Sequence, residues 1–100
     1  MNRNNRADKR LRLQKECILV NELGLIETQT VDMSKMGLGL KTDSTLPFTF
    51  KNGCELGVLI PSMDNLPPAK LMWTMKDFNN TTRLGLEFQL PFPHFFFFQA

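Results

Sequence analysis

The chain has 100 residues, 42% of them apolar and 22% charged, with a formal net charge of +2. That is one compact domain of ordinary globular composition, which excludes a second core, a collagen-like rod, a coiled coil and a disordered tail. The longest uncharged, apolar-leaning stretch, Leu90–Phe98, carries two prolines and a histidine and is far shorter than the roughly 20 residues of a spanning helix.

The opening MNRNNRADKR is too polar for a signal peptide, so Cys17 and Cys54 are expected to be reduced thiols of a cytoplasmic protein. Residues 1–15 carry Arg3, Arg6, Lys9, Arg10, Arg12 and Lys15 against Asp8 alone, whereas residues 16–100 hold six basic and nine acidic side chains. A basic arm on a mildly acidic body suits an anionic partner held by the arm; a solvated terminus reads the same way. With no core-forming residue before about Leu11–Leu13, the arm is expected to be mobile.

Short strands come next. Cys17–Val20 is an apolar run, Leu25–Val31 (LIETQTV) alternates loosely, and Gly37–Leu40 (GLGL) precedes the polar Lys41–Thr45. Glu55–Ile60 is entered through the turn pair Asn52-Gly53, Ala69–Met75 comes after the Pro67-Pro68 break, and Thr82–Phe88 after the turn-like Asp77–Asn80. No segment keeps a 3.6-residue apolar period for three turns with credible caps. Six such strands must curl or stack to bury one face, which predicts an all-β, six-stranded antiparallel β-barrel. The expected layout is a basic arm over 1–15, a barrel over 16–90 and a Phe/Pro-rich tail over 91–100. Pro91 and Pro93 oppose a helix there, so a C-terminal helix is short or absent. Phe92 and Phe95–Phe98 then cover an apolar barrel face or meet a partner.

A single histidine, His94, and two distant cysteines give no zinc spacing and no nucleophile–base set, so neither a metal site nor catalysis is expected. Two other constellations carry chemistry. Arg6-x-x-x-Arg10 offers two guanidinium forks suited to phosphate oxygens or the O6/N7 edge of guanine. Asp32-x-Ser34-x-x-Gly37 is a polar turn in which Asp32 can accept from paired N–H donors such as guanine N1–H and N2–H. Ser34 adds a hydroxyl, and Gly37 permits a positive φ or a close backbone approach. The same residues would equally serve a plain Asx- or Ser-type turn.

The two motifs together, with the Val31–Leu40, Glu55–Pro61, Ala69–Lys76 and Arg83–Phe88 runs, resemble the PilZ domain family over roughly residues 3–89. The resemblance implies a six-stranded barrel that binds the bacterial second messenger cyclic di-GMP, with no cofactor. Its ligand-binding positions would be Arg6, Arg10, Asp32, Ser34 and Gly37. Arg3 and Arg12 are candidate further phosphate contacts. Trp73 either stacks on a guanine or plugs an end of the barrel, and the alternation of its strand favours the plug. Met33, Met36, Met63, Met72 and Met75 read as core filler. The implied role is a receptor that passes the signal to a downstream protein partner in motility, biofilm or pilus control, with no DNA partner. Two other readings stay open: a protein-interaction barrel that uses the Phe-rich tail and keeps vestigial motifs, and a single-stranded nucleic-acid-binding barrel.

Overall fold

The computed structural model of the chain describes residues 10–43, 45–46, 50–63, 66–77 and 79–92. Arg3, Arg6, His94 and Phe95–Phe98 lie outside the described residues. Seven strands run in chain order: β1 (Leu11–Arg12), β2 (Glu16–Asn21), β3 (Gly24–Ser34), β4 (Gly37–Thr42), β5 (Glu55–Leu59), β6 (Ala69–Lys76) and β7 (Thr82–Phe88). The sheet order is β1-β3-β2-β5-β6-β7-β4, and β3 also pairs with β4. That extra pairing closes six strands into the expected antiparallel barrel, with the two-residue β1 as an addition on β3. Among the described residues no helix is long and apolar enough to cross a membrane.

The six barrel strands sit where alternation or turn chemistry predicts them, whereas the two-residue β1 was not expected. In β5 the pattern is strict: Leu56 and Val58 are buried while Glu55, Gly57 and Leu59 face out. Cys17 and Leu19 of β2 point into the core, as do Leu84, Leu86 and Phe88 of β7. Asn52-Gly53 forms the expected turn, with Gly53 at φ +93°, a conformation that glycine adopts without steric cost. Burial desolvates Cys17 and pushes its thiol up from 9.0 to about 11.

Strand β3 departs from its predicted length. It runs through Asp32 and Ser34, so the expected Asp32–Gly37 turn shrinks to Lys35 and Met36 between the paired ends Ser34 and Gly37. The basic segment is also tied down from Arg10 onward. Leu11 and Arg12 pair with Met33 and Asp32. Beyond them, the Lys15 N–H donates to Thr30 Oγ1 at 2.8 Å, and the Thr30 hydroxyl donates to the Leu13 carbonyl. Thr30 is buried, so this is a dry clasp that fixes residues 10–15 against the barrel wall.

Two β-bulges change the phase of their strands. In β3 the inward positions are Ile26, Thr28 and Thr30, but the register shifts between Thr30 and Asp32, so Met33 becomes the next inward residue. In β6 Ala69 and Leu71 point inward, and a shift between Leu71 and Trp73 leaves Trp73 45% exposed. An extra residue in one strand turns the residues after it to the opposite face. The Trp73 plug expected from alternation is therefore wrong: parity predicts an inward ring, and the bulge at Met72 reverses it. Met33 and Met63 are core residues as expected, whereas Met72 and Met75 are exposed on the outer face.

At the far end of β7, Phe92 is 1% exposed. Its ring packs on Phe88 with centroids 6.1 Å apart, and its N–H donates to the Lys35 carbonyl at 2.7 Å. The start of the Phe-rich tail thus completes the core beneath the β3–β4 turn.

Candidate functional site

Four adjacent strands place one residue each in a single row on the outer face. Asp32 of β3 pairs with Gly39 of β4, Gly39 with Gly85 of β7, and Gly85 with Trp73 of β6. Both ends of the row come just after a bulge, and both side chains fold inward along it. A Cβ on Gly39 would lie 2.6 Å from Asp32 Oδ1, and a Cβ on Gly85 would overlap the Trp73 indole. The two glycines are the floor on which the carboxylate and the ring lie. Paired residues hold their Cβ positions about 5 Å apart, so carboxylate and indole face each other across at most about 10 Å. The row forms a groove of about 290 Å³, with Arg10 above Asp32 and Arg83 at one side.

Arg10 reaches the row from the segment before β1. Its Nη2 donates to Asp32 Oδ1 at 2.8 Å, and its Nη1 lies 3.4 Å from Ser34 Oγ. Arg10 and Asp32 remain 44% and 33% exposed, so the pair is reachable from solvent and contributes at most about 1 kcal/mol to stability. A phosphate could therefore compete for this guanidinium without an appreciable cost in folding energy.

Ser34 is fully buried, and its Oγ accepts the N–H groups of Met36 at 3.1 Å and Gly37 at 3.2 Å. It holds the β3–β4 turn and steadies Arg10 from below. Gly37 has no positive φ; a Cβ there would strike the Leu86 backbone carbonyl, so its glycine is a matter of close strand approach. Among the described residues, no group of three His, Cys, Asp or Glu side chains is placed to hold a metal ion.

No family model matches the chain, and no curated protein matches it. Solved structures do. With the Inhibitor of motility (MotI/DgrA) of Bacillus subtilis the TM-score is 0.68 at 17% identity, covering 91% of this chain and 44% of that one. With the PilZ domain of YcgR from Escherichia coli, solved with c-di-GMP, the TM-score is 0.61 at 17% identity, covering 89% of this chain and 79% of that one. The chain folds as a PilZ domain. It spans less than half the length of the motility inhibitor.

On this PilZ fold, Arg10 and Asp32 stand together at the groove, with Ser34 directly beneath them. Gly37 lies on the turn below, and Trp73 forms the opposite wall. Arg12 of β1, two residues after Arg10, lines a neighbouring cavity instead. Sequence reasoning gave no role to Gly39, Gly85, Thr30 or Arg83. A glycine inside a strand run signals a bulge or a close approach, so GLGL at 37–40 and RLGLEF at 83–88 carried that signal for Gly39 and Gly85. Nothing local distinguishes Thr30 or Arg83, because their importance comes from what lies across the sheet.

Proposed function

We propose that this PilZ domain is a receptor for cyclic di-GMP and signals by binding, without catalysis. The observation that carries the reading is the row Asp32–Gly39–Gly85–Trp73 capped by Arg10. A flat ring can lie over the two glycines, stack on the indole and turn its N1–H and N2–H edge to the Asp32 carboxylate. Base–aromatic stacking of this kind is worth about 1–3 kcal/mol. The Arg10 fork, held by an exposed ion pair to Asp32 and a long 3.4 Å contact to Ser34 Oγ, turns from Asp32 to a ligand phosphate, and Arg6 supplies the second fork of the arm. The likeness to a PilZ domain solved with c-di-GMP supports the choice of ligand.

In this reading the ligand, with two phosphates and two guanines, draws the first nine residues over the groove and presents the covered arm to a protein partner. Motility control is the output to test first, given the likeness to an inhibitor of motility. A nucleic-acid barrel is disfavoured because Trp73 is the one exposed aromatic among the described residues, where a stacking track needs several. A protein-binding barrel built on the tail gains nothing from Phe92, which is buried.

Calorimetric titration with cyclic di-GMP, with GTP as control and an Arg6→Ala/Arg10→Ala variant alongside, tests the reading. The expected result is saturable binding tighter than about 10 μM, roughly −7 kcal/mol, that is lost in the variant. No heat and no change in Trp73 fluorescence at millimolar ligand would overturn it.

A further inference from the structure

One row up the barrel from the groove, Lys41 of β4 and Arg83 of β7 are directly opposed partners on the outer face. Their neighbours Leu40, Thr42 and Leu84 are buried, so both cations point outward. Like charges directly opposite one another in a sheet are unfavourable. Arg12, across β3, lines the same cavity of about 560 Å³, together with the bulge residue Val31. Among the described residues none of these three side chains has a hydrogen-bond or ion-pair partner. Glu16, Glu27 and Asp43 line a separate groove on the far side of Lys41, and none reaches ion-pair distance. Arg83 borders this cavity and the Asp32–Trp73 groove alike.

We propose that Arg12, Lys41 and Arg83 form a second anion subsite that takes a phosphate group, adjoining the groove through Arg83. A phosphate set among three cations removes the repulsion between Lys41 and Arg83 and supplies each with a charge-assisted partner. The phosphate comes from the nucleotide in the groove or from a second copy of it; this part rests on the cyclic di-GMP reading, whereas the subsite itself does not.

The subsite is tested first without a nucleotide. Inorganic pyrophosphate, at ionic strength matched with sodium chloride, should move the backbone amide resonances of Lys41 and Arg83 and raise the melting temperature. Both effects should be lost in Lys41→Gln and Arg83→Gln and kept in Lys51→Gln, which removes the same charge from a distant turn. The same variants are then titrated with cyclic di-GMP, for which Lys41→Gln and Arg83→Gln should each weaken binding about tenfold. A stoichiometry of one assigns the subsite to the same molecule, and of two to a second copy. Pyrophosphate effects with no cyclic di-GMP binding would sustain the subsite and sink the ligand assignment. Cyclic di-GMP binding unchanged in both variants would overturn the assignment of a nucleotide phosphate to the subsite, and pyrophosphate acting no differently from chloride, or equally on wild type and both variants, would overturn the subsite itself.

Discussion

Replacing Gly85 by alanine tests the geometry of the groove most directly, because one methyl group there must displace the only tryptophan in the chain. A Cβ at residue 85 would overlap Nε1 and Cε2 of the indole, and it rises from backbone that is fixed by pairing to both β4 and β6. The ring has to lift. Trp73 is 45% exposed, so a little over half of its surface is covered. For a side chain of this size that is on the order of 130 Å², worth about 3 kcal/mol at 25 cal/mol per Å². If the Gly85 floor accounts for half of that cover, the loss is about 1.5 kcal/mol. Alanine returns about 0.4–1 kcal/mol through the unfolded chain, which leaves a net cost near 1 kcal/mol. For a domain of this length that lowers the melting temperature by about 4–8 °C. Since the chain contains no tyrosine, intrinsic fluorescence reports the displaced ring, and its emission should move to the red. Cyclic di-GMP affinity should fall at least tenfold, because the stacking surface no longer lies flat beside Asp32. An alanine variant with unshifted emission and a melting temperature equal to or above wild type would refute the packing of Trp73 on Gly85.

Phe92→Ala removes a ring that is buried against Phe88 and should cost about 3–5 kcal/mol, read as a large drop in the urea midpoint; a loss under 1 kcal/mol would mean that this part of the tail is not core. The raised Cys17 thiol has a definite sign in pH. It favours the folded state below pH 9, and that contribution, on the order of 2 kcal/mol, is lost as pH rises from about 9 to 11, where the unfolded thiol ionises first. A Cys17→Ala variant should show a flatter fall in stability over that window, and an unchanged slope would place the effect elsewhere.

How much of this was legible in the sequence depends on whether a feature is periodic or paired. The strand runs at Cys17–Val20, Glu55–Ile60 and Thr82–Phe88 carry their own alternation, and Asn52-Gly53 carries its own turn. Each is decided by contacts a few residues apart, so reading the chain finds them. The closed barrel comes from counting strands with one apolar face. The Arg10 and Asp32 motifs were also visible, since guanidinium and carboxylate groups announce their chemistry wherever they stand.

The facing of the site residues was decided elsewhere. By alternation, both Asp32 and Trp73 belong inside the barrel, in phase with Thr30 and Leu71. The bulges at Val31 and Met72 turn both outward, and the pairing of β4 with β7 then supplies Gly39 and Gly85 as the floor between them. A bulge arises where two strands of different residue count must stay in register around a closed barrel, and no single strand contains that information. The opposed Lys41–Arg83 pair has the same origin: 42 positions separate the two in sequence, and only the antiparallel register of β4 and β7 sets them opposite each other. The amino-acid sequence by itself determined the strands, their turns and the chemical groups available. Tertiary structure decided which of those groups share a face, because facing depends on the count of residues in both neighbouring strands at once.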